Sequence, residues 1–296
     1  MNIHFSAVGK YVIRFLALLF FAGVITSCAP QLDLEMRDTS DLSVPQLIHL
    51  RSNAIDPKKK WRTASSYRLR TRLASTDEKT KEYYGQEILY KEPKRFKMTT
   101  YKDGKAISII ICNEGRIWKV DPVTNRSHLL NPATLEYKLI TMTTRMADPT
   151  LEISDIFPKI SIDMFTSGGV RFYRLICYPH TQEIAPYIFY INGRSYLTEK
   201  LETIQYQTGT PLGLFYSSET VKYITVDDVK VAEETIVTVT AGDDEPLATK
   251  KGNLEEMKIN ITIPESEFLP PIPFTHRGKR AALSGKTNTQ KAKDKK

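Results

Sequence analysis

Cysteine, tryptophan and histidine are scarce in this chain of 296 residues, which holds three, two and five of them. So few thiols exclude a disulfide-built scaffold. The histidines His4, His49, His128, His180 and His276 are scattered, and neither a His-x-x-x-His nor a Cys-x-x-Cys zinc spacing occurs. There is no glycine-rich phosphate loop, since Gly168-Gly169 stands as an isolated pair, and no Gly-x-Ser-x-Gly elbow. Asp227-Asp228 and Asp243-Asp244-Glu245 lack the spacing of a calcium loop and read as solvated turns. No metal, cofactor or catalytic residue is therefore expected. A hydrolase site assembled from distant residues is the remaining enzymatic alternative.

Long apolar runs are also missing. The 11 uncharged residues from Phe15 to Ile25 are about half of the roughly 20 that a spanning helix needs. Lys10 and Arg14 precede them without an acid, and small residues follow as far as Cys28. That order predicts a secretory signal peptide over 1–27. Ile25-Thr26-Ser27-Cys28 resembles the bacterial lipobox. The resemblance implies acylation of Cys28, a mature chain starting there, and a membrane anchor. The alternative is an ordinary signal peptide with a chance cysteine. By the sorting rule that accompanies the lipobox, Ala29 points to the outer membrane, facing the periplasm.

The formal charge of +8 is unevenly placed. Lys10 and Arg14 belong to the signal peptide, and 275–296 carries eight Lys or Arg against one Asp, leaving 28–274 at −1. A nearly neutral domain is a poor nucleic-acid binder, because phosphate neutralisation supplies most such affinity. The tail reads as disordered. Three readings of it stay open: a solvated end, a contact with anionic headgroups, or a contact with an acidic surface polymer.

Along the mature chain, 28–42 is polar and aperiodic and predicts a lipidated tether. Residues 43–54 predict a short helix, with Ser43 as cap and Pro45 in the first turn. From Ser66 the period becomes two. Tyr67, Leu69 and Leu73 alternate with Arg68, Arg70 and Arg72, which predicts a half-buried strand with one cationic face. Strands follow at 83–90, from Phe96, at 107–111 and from Ile117, with Asp103-Gly104 as a hairpin turn. Asn131-Pro132 reads as the start of a helix whose face is Leu135, Leu139, Met142 and Met146. Residues 151–165 read as one or two short helices. Strands resume at 170–178 and 187–191, with a two-residue turn at Asn192-Gly193 and a partner over 195–206. Others cover 214–226, 235–240 and the alternating run Met257, Ile259, Ile261, Ile263. Cys112 and Cys177 each end an apolar run and are read either as buried free thiols or as a bridge, which export permits. No internal repeat occurs.

Certain residues carry a resemblance to the LolA/LolB-like superfamily. They are Tyr84-Gly85-Gln86, Glu92-Pro93-Lys94-Arg95-Phe96, Asp103-Gly104, then Gly115, Trp118 and Asp121-Pro122, a helical segment, and a last strand ending near Phe268. The match spans roughly 66–269. It implies a mainly β (α+β) domain over 43–274. In it, a strongly curved antiparallel sheet of about eleven strands forms an unclosed barrel, and a helical insertion covers its concave face. It further implies a non-catalytic lipid-binding lipoprotein of the envelope, acting in lipid or lipoprotein transport or insertion. Its partners would be acyl chains or lipoproteins, and the membrane through Cys28. The candidate lining is Tyr67, Leu69, Leu73, Phe96, Met98, Ile107, Ile109, Trp118, Ile259 and Ile261, each of which also fits a plain sheet-to-helix core. The soluble carrier of that superfamily lacks an anchor, and the signatures of its receptor are not evident here. The competing reading is an envelope lipoprotein that uses the curved sheet as a protein-docking or sensory module.

Overall fold

The computed structural model of the chain describes residues 32–76, 83–206, 213–241 and 246–271. The expected signal peptide, Cys28, the basic tail 275–296 and Asp243-Asp244-Glu245 lie outside them.

Helix α1 (Val44–Ile55) starts where the sequence signals it. The Ser43 amide donates to Gln46 Oε1 at 2.9 Å, and a proline stands in the first turn. Six strands then form a meander: β1 (Ser66–Ser75), β2 (Tyr83–Lys91), β3 (Arg95–Lys102), β4 (Lys105–Asn113), β5 (Arg116–Asp121) and β6 (Arg126–Leu129). Helices α2 (Leu135–Ala147) and α3 (Ile153–Ile156) follow. Seven more strands complete the sheet: β7 (Lys159–Ser167), β8 (Val170–Tyr178), β9 (Tyr187–Asn192), β10 (Thr198–Tyr206), β11 (Gly213–Val226), β12 (Val229–Thr240) and β13 (Ala248–Ile259). The last described element is a 3-10 turn at Glu265–Phe268.

All thirteen strands join in one sheet of order β6-β5-β4-β3-β2-β1-β13-β12-β11-β10-β9-β8-β7. Each pairing is antiparallel, and β1 on β13 joins the two meanders. Strands β6 and β7 are the two edges and do not pair, so the barrel is unclosed. The chain between those edges carries α2 and α3. It must therefore cross one face of the sheet, and the sheet curls around it. Ile140 of α2 packs with Phe96, Met98, Ile110 and Cys112 of the first meander. Leu139 and Met142 pack with Leu175, Cys177 and Phe189 of the second. The helix-facing side is thus the concave side.

Two terminal segments cover parts of the convex side. Residues 260–271 cross the first meander, where Phe268 is fully buried against Leu89 and Ile263. Ser127 Oγ donates to the Pro271 carbonyl at 2.8 Å. Residues 32–41 cross the second meander. There Arg174, buried against Asp163 at 2.8 and 2.5 Å, also donates to the Asp33 carbonyl and carboxylate. The segment then rounds the β7 edge, where Asp38 bridges Met164, and Asp41 accepts from Tyr173 Oη on the helix-facing side at 2.8 Å.

Several expectations change. The tether expected over 28–42 is docked from Leu32 onward, because Arg174 and Asp163 take its backbone as partners. Among the described residues there are thirteen strands, where about eleven were expected. The short β6 lacked a clear period, and Lys159–Ser167 is a strand where a second helix was expected. Ile160, Ile162 and Met164 alternate with Ser161 and Asp163, but the apolar residues just before them, Ile153, Ile156 and Phe157, merge with them into one apolar stretch that masks the period. Helix α2 is capped by Thr134, whose Oγ1 accepts from the Tyr137 amide, while Asn131 caps a preceding turn through the Ala133 amide. The turn after β9 is longer than two residues. The Asn192 amide donates to the Leu197 carbonyl, and Tyr196 takes the left-handed conformation at φ 56°. The last strand ends at Ile259 because Asn260 turns left-handed at φ 56°, sending Ile261 and Ile263 to the convex side. Asp103-Gly104, at φ 49° and 78°, is the hairpin turn that the sequence signalled.

Candidate functional site

The concave face is covered at one end and less deeply buried toward the other. At the covered end, α2 is fastened by its C-terminus. Tyr67 Oη donates to the Ala147 carbonyl at 2.6 Å, and Tyr90 Oη donates to Asp148 Oδ1 at 3.0 Å. The Tyr67 and Tyr90 rings stack at 5.4 Å, and Trp61 lies 4.5 Å from Tyr67. Burial pushes both phenols well above the ordinary tyrosine range, and the Asp148 carboxylate adds to it. Asp148 also accepts from the amide and hydroxyl of Thr150 at 2.9 and 2.7 Å. α1, α3 and Phe157 close the same end over β7–β9.

Beyond Tyr67 the concave floor passes to the central strands. By register, Leu69, Leu73 and Ile88 share this side with Leu254 and Met257 of β13 and Val237 of β12. Of these, Leu69, Leu73, Ile88, Leu254 and Val237 are only half-buried. Gly252 keeps the floor low. A Cβ there would stand 2.4 Å from Thr235 Oγ1 and 3.2 Å from Leu73 Cδ2. At the far rim, the ammonium groups of Lys250 and Lys102 lie 4.2 and 5.5 Å from the centre of the Tyr84 ring.

The structure divides the ten expected lining residues. Tyr67, Leu69, Leu73, Phe96, Met98 and Ile259 are on the concave side. Phe96 and Met98 are core beneath α2. Ile109 and Trp118 register on the convex side, and Ile107 is the extra residue of a bulge between Ala106 and Ser108. Ile261 packs with Leu89, Ile263 and Phe268, also convex. Ile109, Trp118 and Ile261 do not line the concave face. The reason is local: Ile109-Ile110-Ile111 is apolar on both faces, so the sequence cannot tell which face is inner. The inner set of that strand is Ser108, Ile110 and Cys112, opposite Thr100, Met98 and Phe96. The sequence reading also missed Ile88, Met257, Leu254 and Val237. The alternation Tyr84, Ile88, Tyr90 around Gln86 was the signal available for the first of them.

Cys112 and Cys177 are both free and buried, one in each meander. Burial pushes each thiol up to about 12. Among the described residues no cluster of His, Cys, Asp or Glu could hold a metal ion, and no helix is long and apolar enough to cross a membrane. Asp227 and Asp228 form a left-handed turn, and Asp228 pairs with Lys58 and Lys60 at 3.1 and 2.7 Å.

Two cavities flank this floor. One of about 590 Å³ lies on the convex side next to the docked segment, with Phe165, Phe172, Tyr190 and Phe215 among charged groups. The other, of about 240 Å³, lies between the three helices and Phe189 of β9.

An unclosed antiparallel barrel with helices crossing its concave face has solved counterparts. A LolA superfamily protein from Nitrosomonas europaea matches with a TM-score of 0.50 at 11% identity, over 77% of this chain and 98% of that one. The chain has the LolA-superfamily fold. A lipoprotein-sorting protein domain from Vibrio parahaemolyticus, described as putative and outer-membrane, aligns at a TM-score of 0.46 and 13% identity, over 75% of this chain and 94% of that one. No protein-family profile matches the sequence, and no curated protein matches it.

Proposed function

We propose that this chain is a lipid-anchored, non-catalytic lipoprotein of the bacterial envelope that binds acyl chains of lipids or lipoproteins on its concave face. Its role is lipid or lipoprotein transport or insertion, with Cys28 as the anchor and the outer membrane as its place. The observation that carries this reading is the half-buried aliphatic floor at Leu69, Leu73, Ile88, Leu254 and Val237, beyond the end that the helices cover. Covering such surface with an acyl chain gains roughly 25 cal/mol per Å² removed from water. The LolA-superfamily fold supports the same reading.

The mature chain 28–296 with Cys28→Ser keeps every described residue and can be isolated without detergent. It should bind a neutral fluorescent acyl probe stoichiometrically, and Leu73→Glu with Val237→Glu should abolish that binding. No binding by the unsubstituted floor overturns the reading. The anchor has its own test. Labelled palmitate should enter the full chain and not Cys28→Ser, and an unlabelled full chain removes the anchor. A protein-docking module is the second reading, favoured by how fully α1–α3 fill one end, where Leu47 and Ile140 are wholly buried. It predicts one stable protein partner and no probe binding.

A further inference from the structure

Arg51 is a cation that pairs with no carboxylate among the described residues. It projects from α1, and its Nε donates to Thr198 Oγ1 at 2.9 Å. Its guanidinium carbon lies 5.8 Å from the centre of the Phe189 ring. Among the described residues it has no carboxylate partner. Three acids line the same cavity of about 240 Å³, yet each is held elsewhere. Asp56 accepts from the amides of Lys60 and Arg62 at 2.8 and 3.0 Å. Asp148 accepts from Tyr90 and Thr150. Glu152 pairs with Arg62.

Burial pushes the Arg51 guanidinium below the usual arginine range. The groups that oppose the shift are Tyr223 and Cys177, both uncharged at neutral pH, with burial raising their pKa values further. An arginine does not escape such a setting by losing its proton. The residue is half-buried, and a partly desolvated charge without a counter-ion carries a cost that an incoming anion would offset.

The rest of the cavity names what the anion is attached to. Met146, Leu151, Ile156, Phe157 and Phe189 form an apolar wall. Its volume is about eight times the roughly 30 Å³ that a water molecule takes in the liquid. That is room for a headgroup and the first part of a chain. A planar guanidinium offers paired donors that match a carboxylate or a phosphate.

We infer that this cavity binds the oxyanion head of a single-chain amphiphile, with Arg51 on the carboxylate or phosphate and the apolar wall around the adjoining methylenes. The inference rests on the acyl-binding reading above and names the chemistry of the head. It places that head between the helices, on the far side of Tyr67 from the aliphatic floor.

The test uses the mature chain 28–296 with Cys28→Ser, titrated with lauric acid, methyl laurate and monododecyl phosphate. Their chains are of equal length, so the head alone differs. Lauric acid, dodecyl phosphate or both should bind at least about tenfold more tightly than the ester, a difference of about 1.4 kcal/mol. Arg51→Met should bring all three within about twofold of one another, and Arg51→Gln serves as a second variant, with thermal melts reporting the fold of each. Preference for lauric acid alone assigns a carboxylate source, and preference for dodecyl phosphate alone a phosphate source. Equal binding of acid and ester by the Arg51 protein overturns the inference and leaves the acyl reading standing. A preference that survives in both variants overturns it too. Failure of all three ligands removes the inference and the acyl reading together.

Discussion

The phenol of Tyr67, on the first strand, donates to the carbonyl of Ala147, the last residue of α2, at 2.6 Å. Carbonyls at a helix C-terminus have no partner within the helix. This bond therefore satisfies a group that the helix cannot, and it ties the insertion to the sheet across 80 positions of sequence. Tyr67→Phe keeps the stacking on Tyr90 and removes only the donor. It should cost about 1–2 kcal/mol, lowering the melting temperature by a few degrees. Amide exchange in α2 should quicken more than exchange in β8 or β9. Equal protection of α2 in both proteins would show that the bond does not hold the helix.

The clasp on the convex side makes a different prediction. Arg174 and Asp163 are fully buried and face each other with two hydrogen bonds, and Arg174 also holds the Asp33 backbone. Arg174→Met leaves the Asp163 carboxylate buried without its cation and should cost about 3–5 kcal/mol. Replacing both, as Asp163→Leu with Arg174→Met, should recover a large part of that loss, because an apolar pair demands no desolvated charge. In both variants residues 32–41 lose a partner, and limited proteolysis there should speed up. A double variant no more stable than Arg174→Met would refute the pairing argument.

Stability should fall on the alkaline side. Burial raises the phenols of Tyr67, Tyr90, Tyr187, Tyr190 and Tyr216 above their ordinary value of 10.0, and the thiols of Cys112 and Cys177 from 9.0 up to about 12. Each folded pKa lies above its unfolded value. The unfolded chain therefore releases these protons first, and stability is fully present below the unfolded pKa and lost as pH rises through the gap. The midpoint of urea denaturation should be flat between neutral pH and about 8.5 and then drop, first with the thiols and then with the phenols. Cys112→Ala with Cys177→Ala should delay the first part of the drop. A midpoint unchanged at pH 11 would contradict the burial of these groups.

Much of this architecture was legible in the sequence where local chemistry and the fold agree. The alternation of Tyr67, Leu69 and Leu73 against Arg68, Arg70 and Arg72 placed β1 correctly. The structure explains its cationic face, since Arg68 and Arg70 meet Glu87 across the strands at 3.4 and 3.6 Å. Ser43 and Asp103-Gly104 marked their helix and turn because caps and left-handed turns depend on residues close in sequence. What stayed hidden depends on partners far away. No local rule reveals that β1 pairs with β13, or that 32–41 docks under Arg174, whose contacts there span about 140 positions. The inner face of β4 was hidden for the same reason. Ile109, Ile110 and Ile111 are equivalent until α2 takes one side and residues 260–271 the other. Arg51 escaped notice because an arginine on a short helix is ordinary. Only the fold sets it apart, because, among the described residues, the acids that share its cavity are held by other partners.

Gly252 offers a test of the concave floor that does not depend on its ligand. It pairs with Leu73 on one side and Thr235 on the other, at the junction of the central strands. The Cβ of any other residue would stand 2.4 Å from Thr235 Oγ1 and 3.2 Å from Leu73 Cδ2. The hydroxyl must move, and strand β12 restricts the rotamers open to a β-branched side chain. Gly252→Ala should therefore destabilise the domain by about 1–3 kcal/mol through overpacking. Thr235→Ala removes the obstructing oxygen. Residues in contact couple by about 0.5–3 kcal/mol, so the double variant should be more stable than the sum of the two single losses predicts. Additive losses would mean that the two side chains do not compete for the same space. Gly252→Val should go further and raise the floor between Leu73 and Val237. If acyl chains lie there, the neutral probe should bind at least about tenfold more weakly to Gly252→Val, while melts confirm that the protein is folded. Unchanged probe affinity in a folded Gly252→Val protein would place the acyl chain elsewhere on the molecule.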